Sequence, residues 1–331
     1  MDRDRLLVYE SDGLTQYRHP PSAVVLPRTT DELSRVLALL YAEGRVFVAR
    51  GSGTGLSGGA LAIDGAVLIG TARMNRILEI DPENRRARVQ PGVINSELTQ
   101  ATLPQGLIYA PDPSSQTACT LGGNVAENSG GPHCLKYGVT SRYVTGLTVV
   151  LPDGDVVELG GLESEEDGLD LVGPFVGSEG CFGMAAEIEL ALIPVAEGVR
   201  TLLGVFDSME AAGRAVTDIM ARGLLPAALE IVDAATIHAV EASIFAAGYP
   251  TDAAAALVVE VDGVDAALDE EVRIADSCCR AAGAREVRIA KDADRLECLI
   301  QAREYEDRGH HATREWIENA LGVLETESAK K

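Results

Sequence analysis

Hydrophobic and polar positions fall into two textures along the chain. From residue 201 onward, short apolar runs alternate with segments of helical period, predicting strands over 201–206, 227–232, 256–262 and 286–290 and helices over 209–221, 234–247 and 266–282. Four strands separated by helices predict an α+β layer on the ferredoxin-like plan. One more helix is expected over 292–307, and the tail from 309 to 331 is helix-compatible but polar.

Before residue 201 the pattern is less regular. Residues 24–27 predict a short strand. Thr29, with Glu32 three positions on, predicts a capping box for a helix whose Leu33, Val36, Leu37 and Leu40 share one face and which Gly44 ends. The run 46–49 predicts a second strand, completing a βαβ unit, and 66–69 a third. Further along, 95–103 predicts a helix ended by Pro104, 147–151 and 155–159 a hairpin across Pro152-Asp153-Gly154, and 186–193 a strand closed by Pro194.

The strand at 46–49 breaks at Arg50 into five glycines within nine residues, Gly51, Gly53, Gly55, Gly58 and Gly59. Without Cβ atoms, successive amides can converge on an anion, and Thr54 and Ser57 add hydroxyl donors. Gly53, Gly55 and Gly58 satisfy GxGxxG, but no helix opens at the third glycine and no Gly-Lys-Ser/Thr follows, so neither a dinucleotide fingerprint nor a nucleoside triphosphate loop is present. The loop joins strand to strand. Alone it admits two readings, a phosphate cradle held by backbone amides and a glycine-rich hairpin.

A second glycine-rich stretch runs from 111 to 138, PDPSSQTACTLGGNVAENSGGPHCLKYG, and no periodicity supports a long helix through it. Loops of this length in a compact domain are usually functional. Its glycines, its amides Asn124 and Asn128 and its hydroxyls Ser114, Ser115, Thr117 and Thr120 suit ligand binding. A linker is the alternative, against which Leu121, Val125 and Leu135 supply apolar side chains to bury. A third cluster, GSEGCFG at 177–183, precedes the strand at 186–193.

Length and charge narrow the picture. A chain of 331 residues predicts two domains or one with a large appendage, the division being placed at 1–195 and 196–331, and the net charge of −23 argues against nucleic acid or an anionic membrane surface as partner. None of the six cysteines forms a C-x-x-C pair, so they read as reduced thiols of a cytoplasmic protein with no iron–sulfur cluster or metal site of its own. The charged start does not resemble a secretory leader, and no apolar run approaches the ~18 residues of a membrane span.

Taken together, ARGSGTGLSGGA at 49–60, PDPSS and LGGNVAENSGG within 111–131, KYG at 136–138 and GSEGCFG at 177–183 resemble the flavin-binding half of the vanillyl-alcohol oxidase and p-cresol methylhydroxylase superfamily. Within it, the match is to the branch of glycolate oxidase flavoprotein subunits, D-lactate dehydrogenases and D-2-hydroxyglutarate dehydrogenases, and it covers residues 24–303. The resemblance implies an FAD-binding PCMH-type fold of two α/β subdomains, followed by a partial ferredoxin-like α+β substrate domain. It implies FAD with its pyrophosphate on Gly51, Ser52, Gly53, Thr54, Gly55, Leu56 and Ser57. The ring and ribityl chain would be lined by Pro111, Asp112, Gly122, Gly123, Asn124, Asn128 and Gly131, with further contacts from Tyr137, Gly138, Glu179 and Gly180.

The implied chemistry is oxidation of a D-2-hydroxy acid, glycolate or D-lactate, to the 2-oxo acid, with electrons passed to an external acceptor. Arg303 is the candidate for gripping the substrate carboxylate, since a guanidinium fork suits it, and His133 the candidate for proton handling; a surface arginine and a structural histidine are the alternatives. Relatives continue beyond this length and place metal-binding histidines there. From about residue 305 the tail diverges, and the adjacent His310 and His311 are not assigned that role. A truncated or partner-dependent FAD-binding subunit without catalysis of its own is therefore the second reading. Companion flavoprotein and iron–sulfur subunits are the implied partners, which would also account for peripheral attachment at the inner membrane.

Overall fold

The computed structural model describes residues 3–161, 168–243 and 246–290, and the chain divides into two compact units, Met1–Val195 and Ala196–Lys331. The helix expected over 292–307, Arg303 and the tail lie outside the described residues.

The first unit opens with β1 (Ala23–Val25), α1 (Thr30–Ala42), β2 (Phe47–Arg50) and β3 (Val67–Gly70). Thr29 Oγ1 accepts from the Glu32 amide at 3.1 Å, as the capping pattern predicts, but the Glu32 carboxylate accepts from the Arg28 amide at 2.8 Å rather than from Thr29. The reciprocal bond is thus offset by one residue. Leu33 and Leu37 are fully buried against Ile69 and Met74, with Val36 and Leu40 packed beside them. Burying such a side chain contributes roughly 1.5–3 kcal/mol.

The βαβ expectation needs one correction. β1 and β2 are not neighbours, because β3 lies between them and pairs parallel to both. Phe47 is in register with Val67, so the chain leaving Arg50 must travel back the length of the strand before β3 can begin. That excludes a hairpin, since parallel neighbours need a long crossover, which a helix ordinarily supplies. Here it is the glycine segment 51–66, with a single 3₁₀ turn at Ile63–Gly65.

A five-stranded antiparallel sheet forms the second subdomain. In chain order its surroundings are β4 (Ile77–Asp81), β5 (Arg86–Val89), α2 (Asn95–Thr102), β6 (Leu107–Ile108), α3 (Leu121–Glu127), α4 (Cys134–Tyr137), β7 (Val144–Val150), β8 (Val156–Gly160), α5 (Val172–Phe175), β9 (Met184–Ala191) and β10 (Ile193–Pro194). The sheet order is β4-β5-β9-β7-β8, and β6 pairs with β10. Along β9 buried and partly exposed residues alternate throughout, which seats Ile188 and Leu190 in one core with Val149, Leu98, Leu121 and Val125. The hairpin expected at 147–159 is β7–β8.

Two short helices interrupt the stretch read as irregular. Thr120 Oγ1 accepts from the Gly123 amide at 3.2 Å and opens α3, which closes at Asn128 with φ +48°. Glycine disfavours helix, so Gly122 and Gly123 in the first turn hide it from pattern. Packing requires at least one of them: a Cβ on Gly122 would fall 2.6 Å from Pro91 Cβ.

The second unit comprises β11 (Gly198–Phe206), α6 (Met209–Ala221), β12 (Ala228–Asp233), α7 (Ala234–Glu241), β13 (Ala255–Gly263), α8 (Asp265–Ala281) and β14 (Glu286–Ala290). All neighbours are antiparallel in the order β12-β13-β11-β14, the ferredoxin-like arrangement with α7 added between its second and third strands. One face buries Leu202, Phe206, Leu257 and Val259 against Ile219 of α6 and Leu268 of α8; the other packs Val205 and Ala256 against Ile237 of α7. The helix expected to reach residue 247 ends at Glu241, whose Oε1 accepts from the amides of Ala247 and Tyr249. Among the described residues, no helix is long and apolar enough to cross a membrane.

Candidate functional site

Three segments of the first unit converge: the glycine crossover after β2, the start of α3, and the turn at 177–183 before β9. They line an open cavity of about 180 Å³ whose walls include Gly51, Thr54, Thr120, Asn124, Glu127 and Gly180. A second, mostly apolar cavity of about 60 Å³ reaches Thr71, Pro91, Gly122, Phe175, Ser178 and Met184, and shares Arg50, Gly51, Gly123 and Gly180 with the first.

The crossover presents backbone donors. Among the described residues, the amides of Gly51 to Ser57 donate to no protein acceptor, whereas that of Gly58 is taken by Asp12 Oδ2 at 3.0 Å. Close packing enforces the backbone's approach to α3, since a Cβ on Gly51 would fall 2.2 Å from Thr120 Oγ1. Gly53 has φ +73° and lies directly over the Arg50 guanidinium. A row of unspent amides along a cavity wall is the arrangement that an anion cradle requires.

Charge in the cavity is not what an anion site ordinarily shows. Arg50 is the one cation among its walls, and its guanidinium donates to the carbonyls of Ala60 at 3.1 Å and Ser11 at 2.9 Å. Burial lowers its pKa, while Asp12 and Tyr9 act in the opposite direction. Glu127 and Glu179 both lie near Gly59, and burial, then the neighbouring Glu179 charge, raise the Glu127 carboxyl above its ordinary value.

The adjoining apolar cavity carries two buried hydroxyls with no hydrogen-bond partner, Thr71 Oγ1 and Ser178 Oγ. An orphaned buried hydroxyl costs about 1–3 kcal/mol, so a ligand that is apolar in its body and polar at its edge suits this space. A ligand with an apolar ring at one end and an anionic centre further along suits the lining of the two cavities, and FAD has that chemistry.

The expected site residues separate into two groups. Gly51, Ser52, Gly53, Thr54, Gly55, Gly123, Asn124, Glu179 and Gly180 line the larger cavity, and Gly122 the smaller. Asn124 is buried and spends its amide internally, accepting from Asn95 Nδ2 at 2.9 Å and donating to Cys119 Sγ at 3.4 Å. Leu56, Ser57, Pro111, Asp112, Asn128, Gly131, His133, Tyr137 and Gly138 line neither cavity. Leu56 and Ser57 are exposed; the Pro111 carbonyl accepts from Asn95 Nδ2 and Asn128 Oδ1 from the Ser141 amide. His133 and Asp112 face each other, Nδ1 to Oδ2, at 2.5 Å. Thr71 and Ser178 carry the orphaned hydroxyls but were not among the expected contacts; Ser178 sits inside the GSEG motif, whereas nothing local marks Thr71.

The chain carries both domains of the FAD linked oxidases: residues 21–160 match the FAD binding domain and 195–323 the C-terminal domain of FAD linked oxidases. It is 46% identical over 289 residues to glycolate oxidase subunit GlcD of Escherichia coli (strain K12), covering 87% of this chain and 58% of that protein. To GlcD of Bacillus subtilis (strain 168) it is 42% identical over 298 residues, covering 90% and 63%. To a D-lactate dehydrogenase of Anaerostipes hadrus it is 35% identical over 277 residues, covering 82% and 58%. The chain thus spans about three fifths of the length of these relatives. An alkyldihydroxyacetonephosphate synthase structure shares the fold at TM-score 0.68 and 21% identity, covering 83% of this chain and 52% of that one.

Proposed function

We propose that the protein takes part in FAD-dependent oxidation of a D-2-hydroxy acid, glycolate or D-lactate, to the 2-oxo acid. The observation that carries this is the row of undonated amides from Gly51 to Gly55 along the larger cavity, in a chain whose relatives are named for glycolate and D-lactate oxidation. FAD, when bound, supplies the two-electron acceptor. The amides of 51–55 would hold its pyrophosphate, while Thr71 and Ser178 would meet polar edges of the group in the apolar cavity.

Oxidation removes two electrons and two protons from the hydroxy acid. His133, oriented by Asp112, is proposed to handle a proton, and Arg303 to grip the carboxylate, with residues 196–331 contributing a partial substrate-binding domain. Electrons leave to an external acceptor, for which companion flavoprotein and iron–sulfur subunits are proposed, since the GlcD relatives are named as subunits.

A second reading, an FAD-binding subunit that needs a partner for catalysis, is favoured by the naming of the GlcD relatives as subunits. Purified protein, its flavin spectrum recorded, is mixed anaerobically with D-lactate or glycolate. Bleaching of the long-wavelength flavin band is expected; a yellow protein that stays yellow would support the partner-dependent reading, and a colourless one that gains no thermal protection from added FAD would overturn both.

A further inference from the structure

Arg50 ends β2 and is the first cation the glycine crossover meets, yet its side chain is only 8% exposed and its donors point into the protein. One guanidinium nitrogen, Nη1, reaches the Ala60 carbonyl at the far end of the glycine cluster; Nη2 reaches the Ser11 carbonyl, well upstream of β1. The guanidinium carbon lies 5.8 Å from the centre of the Tyr9 ring. Gly53 passes directly over it, since a Cβ there would fall 2.3 Å from Nη2. The crossover is therefore wrapped around its own first side chain.

The same upstream segment grips the crossover at two more points. Asp12 Oδ2 accepts from the Gly58 amide at 3.0 Å while Oδ1 accepts from Leu14 N at 2.9 Å. The Gly13 amide donates to the Gly55 carbonyl at 3.0 Å, and a Cβ on Gly13 would fall 2.6 Å from the Thr54 carbonyl oxygen. Asp12 is 6% exposed, so its carboxylate, like the Arg50 guanidinium, is held inside the protein by backbone partners. Neither leaves a free charge to attract a phosphate; what they leave is a shape.

We propose that residues 9–14 form a strap which, through Arg50 and Asp12, sets the glycine crossover in its FAD-receiving conformation. Both act as positioning residues, their side chains engaged by the strap and the crossover. The inference rests on the FAD reading and deepens it. Because the Gly58 amide is engaged by Asp12, the amides from Gly51 to Gly55 are the ones that would hold the pyrophosphate. Strap and cofactor are also coupled reciprocally: bound FAD must hold the strap as firmly as the strap favours FAD.

The test separates charge from geometry. Arg50→Lys keeps the positive charge but cannot span two carbonyls, Asp12→Asn keeps an acceptor without the charge, and Asp12→Ala removes both. Deflavinated protein is titrated with FAD by flavin fluorescence, and cleavage within residues 1–20 by a nonspecific protease is timed with and without FAD. Arg50→Lys and Asp12→Ala are expected to weaken FAD about tenfold or more and to speed cleavage, as loss of charge-assisted hydrogen bonds predicts, while Asp12→Asn stays within about threefold of the unaltered protein. In the unaltered protein FAD is expected to slow that cleavage.

Wild-type affinity in Arg50→Lys, or equal loss in Asp12→Asn and Asp12→Ala, would overturn the strap. Should Arg50→Lys fail to fold, the contrast between the two Asp12 variants decides the matter. If the unaltered protein itself does not bind FAD, the underlying reading fails instead.

Discussion

His133 Nδ1 and Asp112 Oδ2 stand 2.5 Å apart, both partly buried, although 21 residues separate them in the chain. Asp112 had been expected to touch the flavin and His133 to move protons; the fold makes them partners. A carboxylate on Nδ1 fixes which ring nitrogen faces outward, the arrangement that proton-handling histidines commonly use. The pair is expected to act as a unit. His133→Ala and Asp112→Asn should each slow anaerobic flavin reduction by about tenfold to a hundredfold, and the double variant should be no slower than the worse single one. Independent, multiplicative losses in stopped-flow traces would show that the two residues do not cooperate.

The approach of Gly51 to Thr120 sets a second expectation. Gly51→Ala places a methyl 2.2 Å from Thr120 Oγ1, so the crossover must move away from α3. FAD affinity is expected to fall about tenfold or more, a cost of roughly 1.4 kcal/mol. Adding Thr120→Ala leaves Cβ, at 3.4 Å, as the nearest atom and should restore part of that affinity, at the expense of about 1 kcal/mol of α3 capping. Titration of the single and double variants with FAD checks this; an unrestored double variant would mean the contact is not what excludes a side chain.

Glu127 gives the site a pH dependence. Burial first, and the charge of Glu179 second, raise its folded-state pKa above the unfolded value. A carboxyl shifted this way costs nothing below the unfolded pKa, where both states are protonated. Stability then declines as pH rises from the unfolded pKa to the folded one and levels off above it. Glu127→Gln should therefore melt with the unaltered protein in acid and above it at neutral pH. Because an ionised Glu127 also faces the proposed pyrophosphate site, the variant should bind FAD more tightly at pH 7 than at pH 4, relative to the unaltered protein. Melting curves that differ by the same amount at both pH values would contradict the assignment.

Leu37 tests the packing beneath the crossover. It is fully buried on α1 against the core that includes Ile69 and Met74. Leu37→Ala is expected to destabilise the first unit by about 2–5 kcal/mol in denaturant unfolding. Ile219→Ala should do the same to the second unit, where Ile219 fills the α6 face of the four-stranded sheet. If either variant unfolds at the unaltered midpoint, the corresponding core is wrongly described.

Legibility in the chain followed the range of the interaction involved. The Leu33, Val36, Leu37 and Leu40 stripe and the alternating strands after residue 200 are set by near neighbours, and each appears in the structure with bounds close to those the periodicity predicts. The α3 helix escaped because its first turn carries Gly122 and Gly123, the former set against Pro91, and two glycines in one turn mask helix propensity. The insertion of β3 between β1 and β2 escaped for a different reason: strand order is a matter of distant pairing, and a parallel neighbour leaves no turn signature.

By themselves, the residues of this chain determined a regularly alternating second half and three glycine clusters suited to holding a ligand, because turn chemistry and amphipathic period are written in adjacent positions. Tertiary structure alone decided which amides are spent and which remain, that Arg50 and Asp12 bind the crossover to residues 9–14, and that His133 meets Asp112. Each of those depends on groups far apart in sequence finding one another at hydrogen-bond distance, and only the packed fold brings them there.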